Sequence, residues 1–228
     1  MSIHDGHRNR LRERYKREGL DHFNEINALE LLLFYCIPRS DTNDLAHRLL
    51  DQFGSFANVL DASVEDLCKV KGIGENSAVF LSLLSSVSRY YQVQKAQFDG
   101  PLDSVASVSA VLKPHLQGRR NEMVYLLCLD AKCKMICCRL IGEGNVNSAG
   151  ISIRKIVEVA LAVNASAVVL AHNHPSGLAV PSSADVKTSI QVGRALRSVD
   201  VVLLDHYVIS DDEAVSMIQS GYFRVEDY

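Results

Sequence analysis

Over residues 1–96 apolar positions recur at helical spacing. Ala28 to Ile37 is an apolar run, and Thr42 to Phe53 sets Leu45, Leu49 and Leu50 on one helical face. Ser63 to Val70 opens with Ser63 three residues before Asp66, an N-cap pattern. A further helix is predicted from Glu75 to about Tyr91. Between these last two helices lies Val70-Lys71-Gly72-Ile73-Gly74. Two glycines flanking one aliphatic residue make a sharp turn whose backbone amides are unobstructed.

Beyond Lys95 the pattern changes. Residues 97–101 lack periodicity and contain Gly100-Pro101, which predicts a linker. Apolar runs at Met123–Leu129 and Met135–Ile141, around a turn at Asp130–Lys132, predict a hairpin. A helix from about Ser152 to Val163, a buried strand from Ala165 to Ala171, and a helix starting near Ser182 or Ser183 follow. A strand from Val201 to Ile209 and a short terminal helix close the chain. Strands alternating with helices, two of them continuous aliphatic runs, predict a mixed sheet covered by helices. The expected class is α+β: a small all-helical domain over 1–96, a linker over 97–101, and a mixed-sheet α/β domain over 102–228.

Composition narrows the partners. With 47% hydrophobic and 22% charged residues in 228, the chain is globular in type, which excludes disorder, collagen and coiled coil. No apolar run reaches the roughly 20 residues that span a bilayer, and the Arg-rich start, Met1 to Arg17, lacks the apolar core of a secretory signal. A cytoplasmic protein without a membrane partner is expected. The net charge of −3 argues against a strongly basic nucleic-acid binder. Arg8, Arg10, Arg12, Arg14, Lys16 and Arg17 nevertheless cluster, as a solvated helix or as a phosphate-contacting arm. The six cysteines contain no C-x-x-C pair, so neither a zinc ribbon nor a disulfide framework is indicated.

The candidate chemistry lies in Ala171-His172-Asn173-His174-Pro175-Ser176-Gly177, followed by Pro181-Ser182 and Asp185. On an extended strand end, residues two apart project to the same side, so both imidazoles can reach one point. Pro175 and Gly177 turn the chain back and bring the next helix's first turn, with Asp185, toward that point. Two imidazoles and one carboxylate give a divalent metal three ligands and leave a position for water, as in catalytic zinc sites. Non-haem iron also uses this ligand set, and Ser182-x-x-Asp185 also reads as a helix cap that needs no metal.

His172-x-His174, seven residues, Ser182, two residues, Asp185 resembles the JAMM motif of the MPN-domain metalloproteases. With Pro175-Ser176-Gly177, Pro181-Ser182 and Leu204-Asp205-His206 it is similar to the RadC family of bacteria. Gly19-Leu20, Glu30-Leu31-Leu32-Leu33, Phe53-Gly54 and Lys71-Gly72-Ile73-Gly74 extend the likeness to that family's N-terminal helical domain. The resemblance implies an MPN-type, cytidine-deaminase-like fold for 102–228. It also implies one zinc per chain, held by His172, His174 and Asp185 with water as fourth ligand, and hydrolysis of a peptide or isopeptide bond in a protein or peptide substrate. Glu122 would then be the general acid/base, and Ser182 would hydrogen-bond the developing oxyanion. Spacing by itself does not choose Glu122 over Glu143 or Glu158. His206 reads as a structural histidine.

Two departures from the family pattern bear on specificity. Leu178-Ala179-Val180 stands where relatives are more polar, and Ser152-Ile153 precedes Arg154 where many carry His-Pro. The Gly72-Ile73-Gly74 turn resembles a helix-hairpin-helix, which binds the DNA backbone through turn amides. Gly72, Gly74 and Lys71 are its candidate contacts, and a packed turn without a ligand is the other reading. Acidic residues slightly outnumber basic ones in this half, so any DNA binding would be weak, non-specific and salt-sensitive. The alternative function is a DNA repair or recombination accessory protein, or a metal-dependent nuclease.

Overall fold

The computed structural model describes residues 3–38, 41–96, 98–144, 152–175, 177–210 and 213–228. Gln97 of the expected linker and Ser176 of the histidine motif lie outside the described residues. The chain forms two compact units, one up to Ser88 and one from Arg89 on.

The first unit holds α1 (Ile3–Glu18), α2 (Glu25–Cys36), α3 (Asn43–Phe53), α4 (Phe56–Leu60), α5 (Val64–Cys68) and the start of α6 (Glu75–Lys95). The predicted apolar faces meet in one core, in which Leu29, Leu33, Leu49, Val59, Leu67 and Leu81 are fully buried. Ser63 caps α5, its hydroxyl accepting the Asp66 N–H at 3.0 Å. The N-terminal arginines fold back onto their own unit. Arg8 donates to the carbonyls of Ile37 and Pro38, both at 2.9 Å, and lies over the Phe34 ring. Arg14 bonds the His22 carbonyl and sits over Phe23. Lys16 and Arg17 pair with Glu13 and Glu18.

The second unit adds α7 (Val105–Leu116), β1 (Met123–Leu129), β2 (Met135–Glu143), α8 (Ile153–Ala162), β3 (Ala167–Asn173), α9 (Ser183–Arg197), β4 (Val202–Ile209) and β5 (Ala214–Ser216). The sheet order is β2-β1-β3-β4-β5, and only β3 and β4 run parallel. Alternation along the strands sends Val124, Leu126, Val168, Leu170 and Val208 to the face packed by Ile156 of α8 and by Val192 and Leu196 of α9. Tyr125, Leu127, Val169, Ala171 and Tyr207 face Val108, Val111 and Leu112 of α7. An irregularity opposite Val168/Val169 shifts the register of β4. Leu203 and Val208 thereby share one face, and His206 is turned toward α9.

Two expectations are corrected. Helix α7 is absent from the sequence reading: its alternating Val and Ser residues mask the helical stripe, which a Ser104–Ser107 capping box starts. The predicted terminal helix is instead the short edge strand β5 and one 3-10 turn, Val225–Asp227. The buried carboxylate of Asp205 captures this tail by accepting from the Ser216 hydroxyl and the Ile218 N–H. Tyr228 closes the unit against α9, its ring so near Gly193 that a Cβ there would fall 2.4 Å from it. Among the described residues no helix is long and apolar enough to cross a membrane.

Candidate metal centre

Strand β3 runs two residues further than its apolar pattern suggests, so His172 and Asn173 lie in the strand itself. His172 follows Val168 and Leu170 onto the α9 face and is fully buried. The His174 N–H bonds the Ile209 carbonyl at 2.9 Å, which holds the chain beside β4 one residue longer. Gly177 then adopts φ +86°, a conformation suited to glycine, and its N–H closes the turn on the His174 carbonyl at 3.1 Å. The returning chain reaches Ser182, the N-cap of α9.

The helix-cap reading of Ser182-x-x-Asp185 holds, and the cap leaves the Asp185 carboxylate facing the histidines. The Ser182 hydroxyl accepts the Asp185 N–H at 3.2 Å, while Asp185 Oδ2 accepts the Ser182 N–H at 2.7 Å and its hydroxyl at 2.6 Å. The cap thus holds Oδ2 and leaves Oδ1 toward His172, 3.6 Å from its Nε2. His174 Nε2 is 3.0 Å from His172 Nε2 and 3.9 Å from Asp185 Oδ2. One ligand atom from each residue therefore lies within 4.8 Å of the others, a group able to hold a metal ion.

The electrostatics fit such an ion. Burial pushes the His172 pKa down to about 4, with Asp185 opposing and His174 adding to the shift, so His172 is neutral at pH 7. The neutral ring is the metal-binding form. His174 Nδ1 meets the Leu178 carbonyl at 3.0 Å; a carbonyl only accepts, so Nδ1 carries a proton and Nε2 is the nitrogen left to serve as a ligand. Two nitrogens and one carboxylate oxygen, largely out of water, form a donor set suited to zinc.

Glu122 immediately precedes β1, where Val124 pairs with His172. Continuing that register sets Glu122 level with His174 at the same end of the sheet. Asn173, between the two histidines, accepts the Met123 N–H at 2.7 Å and donates to the Asn121 carbonyl at 3.2 Å, so it clasps the chain on both sides of Glu122. The other carboxylates have different partners. Glu143 accepts from the Asn121 side chain at 2.5 Å, and Glu158 pairs with Arg154 at 2.7 Å on the exposed side of α8. A cleft lined by Leu116, Arg119, Asn173, Pro175 and Ser210 opens beside His174. Leu178 and Val180, from the departing loop, are 69% and 61% exposed.

Gly72, Gly74 and Lys71 belong to the helical unit. A Cβ on Gly72 would lie 2.7 Å from Leu45 of α3, and the Ile73 N–H is bonded to the Val70 carbonyl at 3.0 Å. Arg48 ties the Lys71 carbonyl at 2.6 Å. Nothing lies within 4 Å of a Cβ built on Gly74.

Sequence reasoning did not assign His206 or Ser189 to the centre. His206, fully buried, lies with Nε2 2.8 Å from His172 Nδ1, and its Nδ1 is 2.6 Å from the Ser189 hydroxyl. A histidine within an aliphatic strand and a serine on the buried stripe of α9 were the available signals.

Comparison with known proteins agrees with this geometry. Residues 102–222 match the family described as RadC-like JAB domain, and residues 6–79 match the UPF0758 N-terminal family. A UPF0758 protein of Fusobacterium nucleatum is 32% identical over 95% of this chain and 96% of its own length. One from Pseudoalteromonas translucida is 32% identical over 93% and 95%, and one from Paraburkholderia xenovorans 33% over 92% and 83%. With the histidine pair and its aspartate in place and the likeness running through both units, the chain belongs to the family of RadC-like JAB-domain proteins.

Proposed function

We propose that the protein is a zinc-dependent hydrolase of the JAMM type that cleaves a peptide or isopeptide bond in a protein or peptide substrate. The observation that carries this reading is the convergence of His172 Nε2, His174 Nε2 and the Asp185 carboxylate on one sheltered point. Zinc held there would polarise the attacked carbonyl and lower the pKa of a coordinated water toward 7. Glu122, at the same end of the sheet, takes a proton from the attacking water and delivers it to the departing amine nitrogen. Ser182 has one hydroxyl proton, which it donates to Asp185 Oδ2, so donation to an oxyanion means exchanging that partner while its N–H keeps the cap. The DNA-accessory alternative draws on the Gly72-Ile73-Gly74 turn, where packing against Leu45 already accounts for the first glycine.

Metal analysis of purified protein tests the centre: about one zinc per chain is expected, lost in the His172→Ala, His174→Ala double variant. Full occupancy in that variant would remove the assignment, and iron in place of zinc would redirect the chemistry to oxygen activation. Glu122→Gln should keep its zinc and lose about 10²–10⁴ in hydrolysis rate on whichever peptide the parent protein cleaves. Equal rates would move the base to Glu143 or another carboxylate, and loss of zinc would make Glu122 a ligand.

A further inference from the structure

We infer that Ser189 and His206 are positioning residues that fix which nitrogen of His172 faces the centre and thereby set its metal affinity, an inference that rests on the metal reading above. Ser189 has one hydroxyl proton and two close neighbours, the Asp185 carbonyl at 2.6 Å and His206 Nδ1 at 2.6 Å. The carbonyl can only accept, so the hydroxyl proton goes to it. His206 Nδ1 must then be the donor to the Ser189 oxygen. In a neutral ring this leaves the His206 Nε2 lone pair, which faces His172 Nδ1 at 2.8 Å. His172 Nδ1 therefore carries its ring's proton, and His172 Nε2 presents a lone pair.

The Leu178 carbonyl likewise fixes the His174 proton on Nδ1, so a neutral His174 ring presents its lone pair at Nε2. Two lone pairs 3.0 Å apart repel one another unless a cation lies between them. Without the Ser189 hydroxyl, His206 could move its proton to Nε2. His172 would then accept at Nδ1 and turn an N–H into the centre, where it blocks a ligand position. The device is the serine counterpart of the carboxylate or carbonyl that commonly orients metal-bound histidines, except that a second histidine is interposed. Every member is fully buried: His172, His206 and Ser189 each have zero exposure, so water cannot supply the missing donor or acceptor.

The test uses the full-length chain, zinc ion and a competing chelator. Ser189→Ala should weaken zinc affinity by about 10–100-fold, the range for lost partners of metal ligands. Ser189→Thr, whose hydroxyl can bond the same helix carbonyl, should recover most of it. Long-range ¹H–¹⁵N spectra of the metal-free protein give a readout that a packing role would not move: His172 should be protonated at Nδ1 in the parent and shift toward Nε2 in Ser189→Ala. His172 protonated at Nε2 in the parent, or parent-like zinc affinity in Ser189→Ala, would overturn the inference. A parent that binds no zinc at all would refute the metal reading instead, and the metal-free spectra would still decide the relay.

Discussion

At the scale of single residues, the candidate ligands and the groups that hold them differ in how far along the chain their determinants lie. His172, His174 and Asp185 are legible because local rules place them: period-two projection along a strand, a proline–glycine return, and a capping pattern at a helix start. Asn173, Ser189 and His206 act through contacts 50, 17 and 34 residues away in the chain, and no local period announces them. Asn173 also makes a stability prediction. Asn173→Ala removes the acceptor for the Met123 N–H and the donor to the Asn121 carbonyl. It should cost about 1–3 kcal/mol in denaturant titrations, because a buried donor is left without a partner. Hydrolysis should fall as well, since the segment bearing Glu122 loses its clasp, while zinc stoichiometry stays at the parent value. Unchanged activity in a folded Asn173→Ala protein would detach Glu122 from the reaction.

Elements were legible where their periodicity was strong and their ends carried caps. Helix α9 begins at the predicted serine, and β4 matches its apolar run to within one residue. Helix α7 is hidden in the sequence because Val and Ser crowd its first two turns, and the fold of the tail is hidden because the capture of Ser216 by Asp205 is tertiary. The Gly72-Ile73-Gly74 turn shows how two glycines in one element differ. Gly72 has φ +98° and a Cβ clash with Leu45, so Gly72→Val should lower the stability of the helical unit by about 1–3 kcal/mol or more. A Cβ on Gly74 meets nothing, so Gly74→Ala should leave unfolding nearly unchanged. That variant is the cleaner probe of DNA contact. Weaker binding to DNA at about 50 mM salt with unchanged stability would assign the turn a phosphate. No binding by the parent under those conditions leaves packing as the turn's whole role.

For the whole molecule, the two units have separate cores, and only the second carries the candidate ligands. Zinc should therefore protect the molecule unevenly. At a free concentration of about 100 times its dissociation constant it would stabilise the metal-binding unit by about 2.7 kcal/mol. Hydrogen exchange should slow at amides of β1, β3, β4 and α9 and stay unchanged in α2 and α3. Equal slowing in both units would mean that zinc acts elsewhere or that the units unfold together.

One turn of α9 separates Asp185 from Ser189, so the helix that supplies the carboxylate also supplies the hydroxyl behind His172. A one-residue insertion between them would rotate the hydroxyl by roughly 100° and break the chain of proton donors while every ligand stayed in the sequence. Such a descendant would still match the motif and would no longer hold the ion well. Loss of metal binding in such a variant of this protein would thus be invisible at the motif and readable only in the phase of one helix.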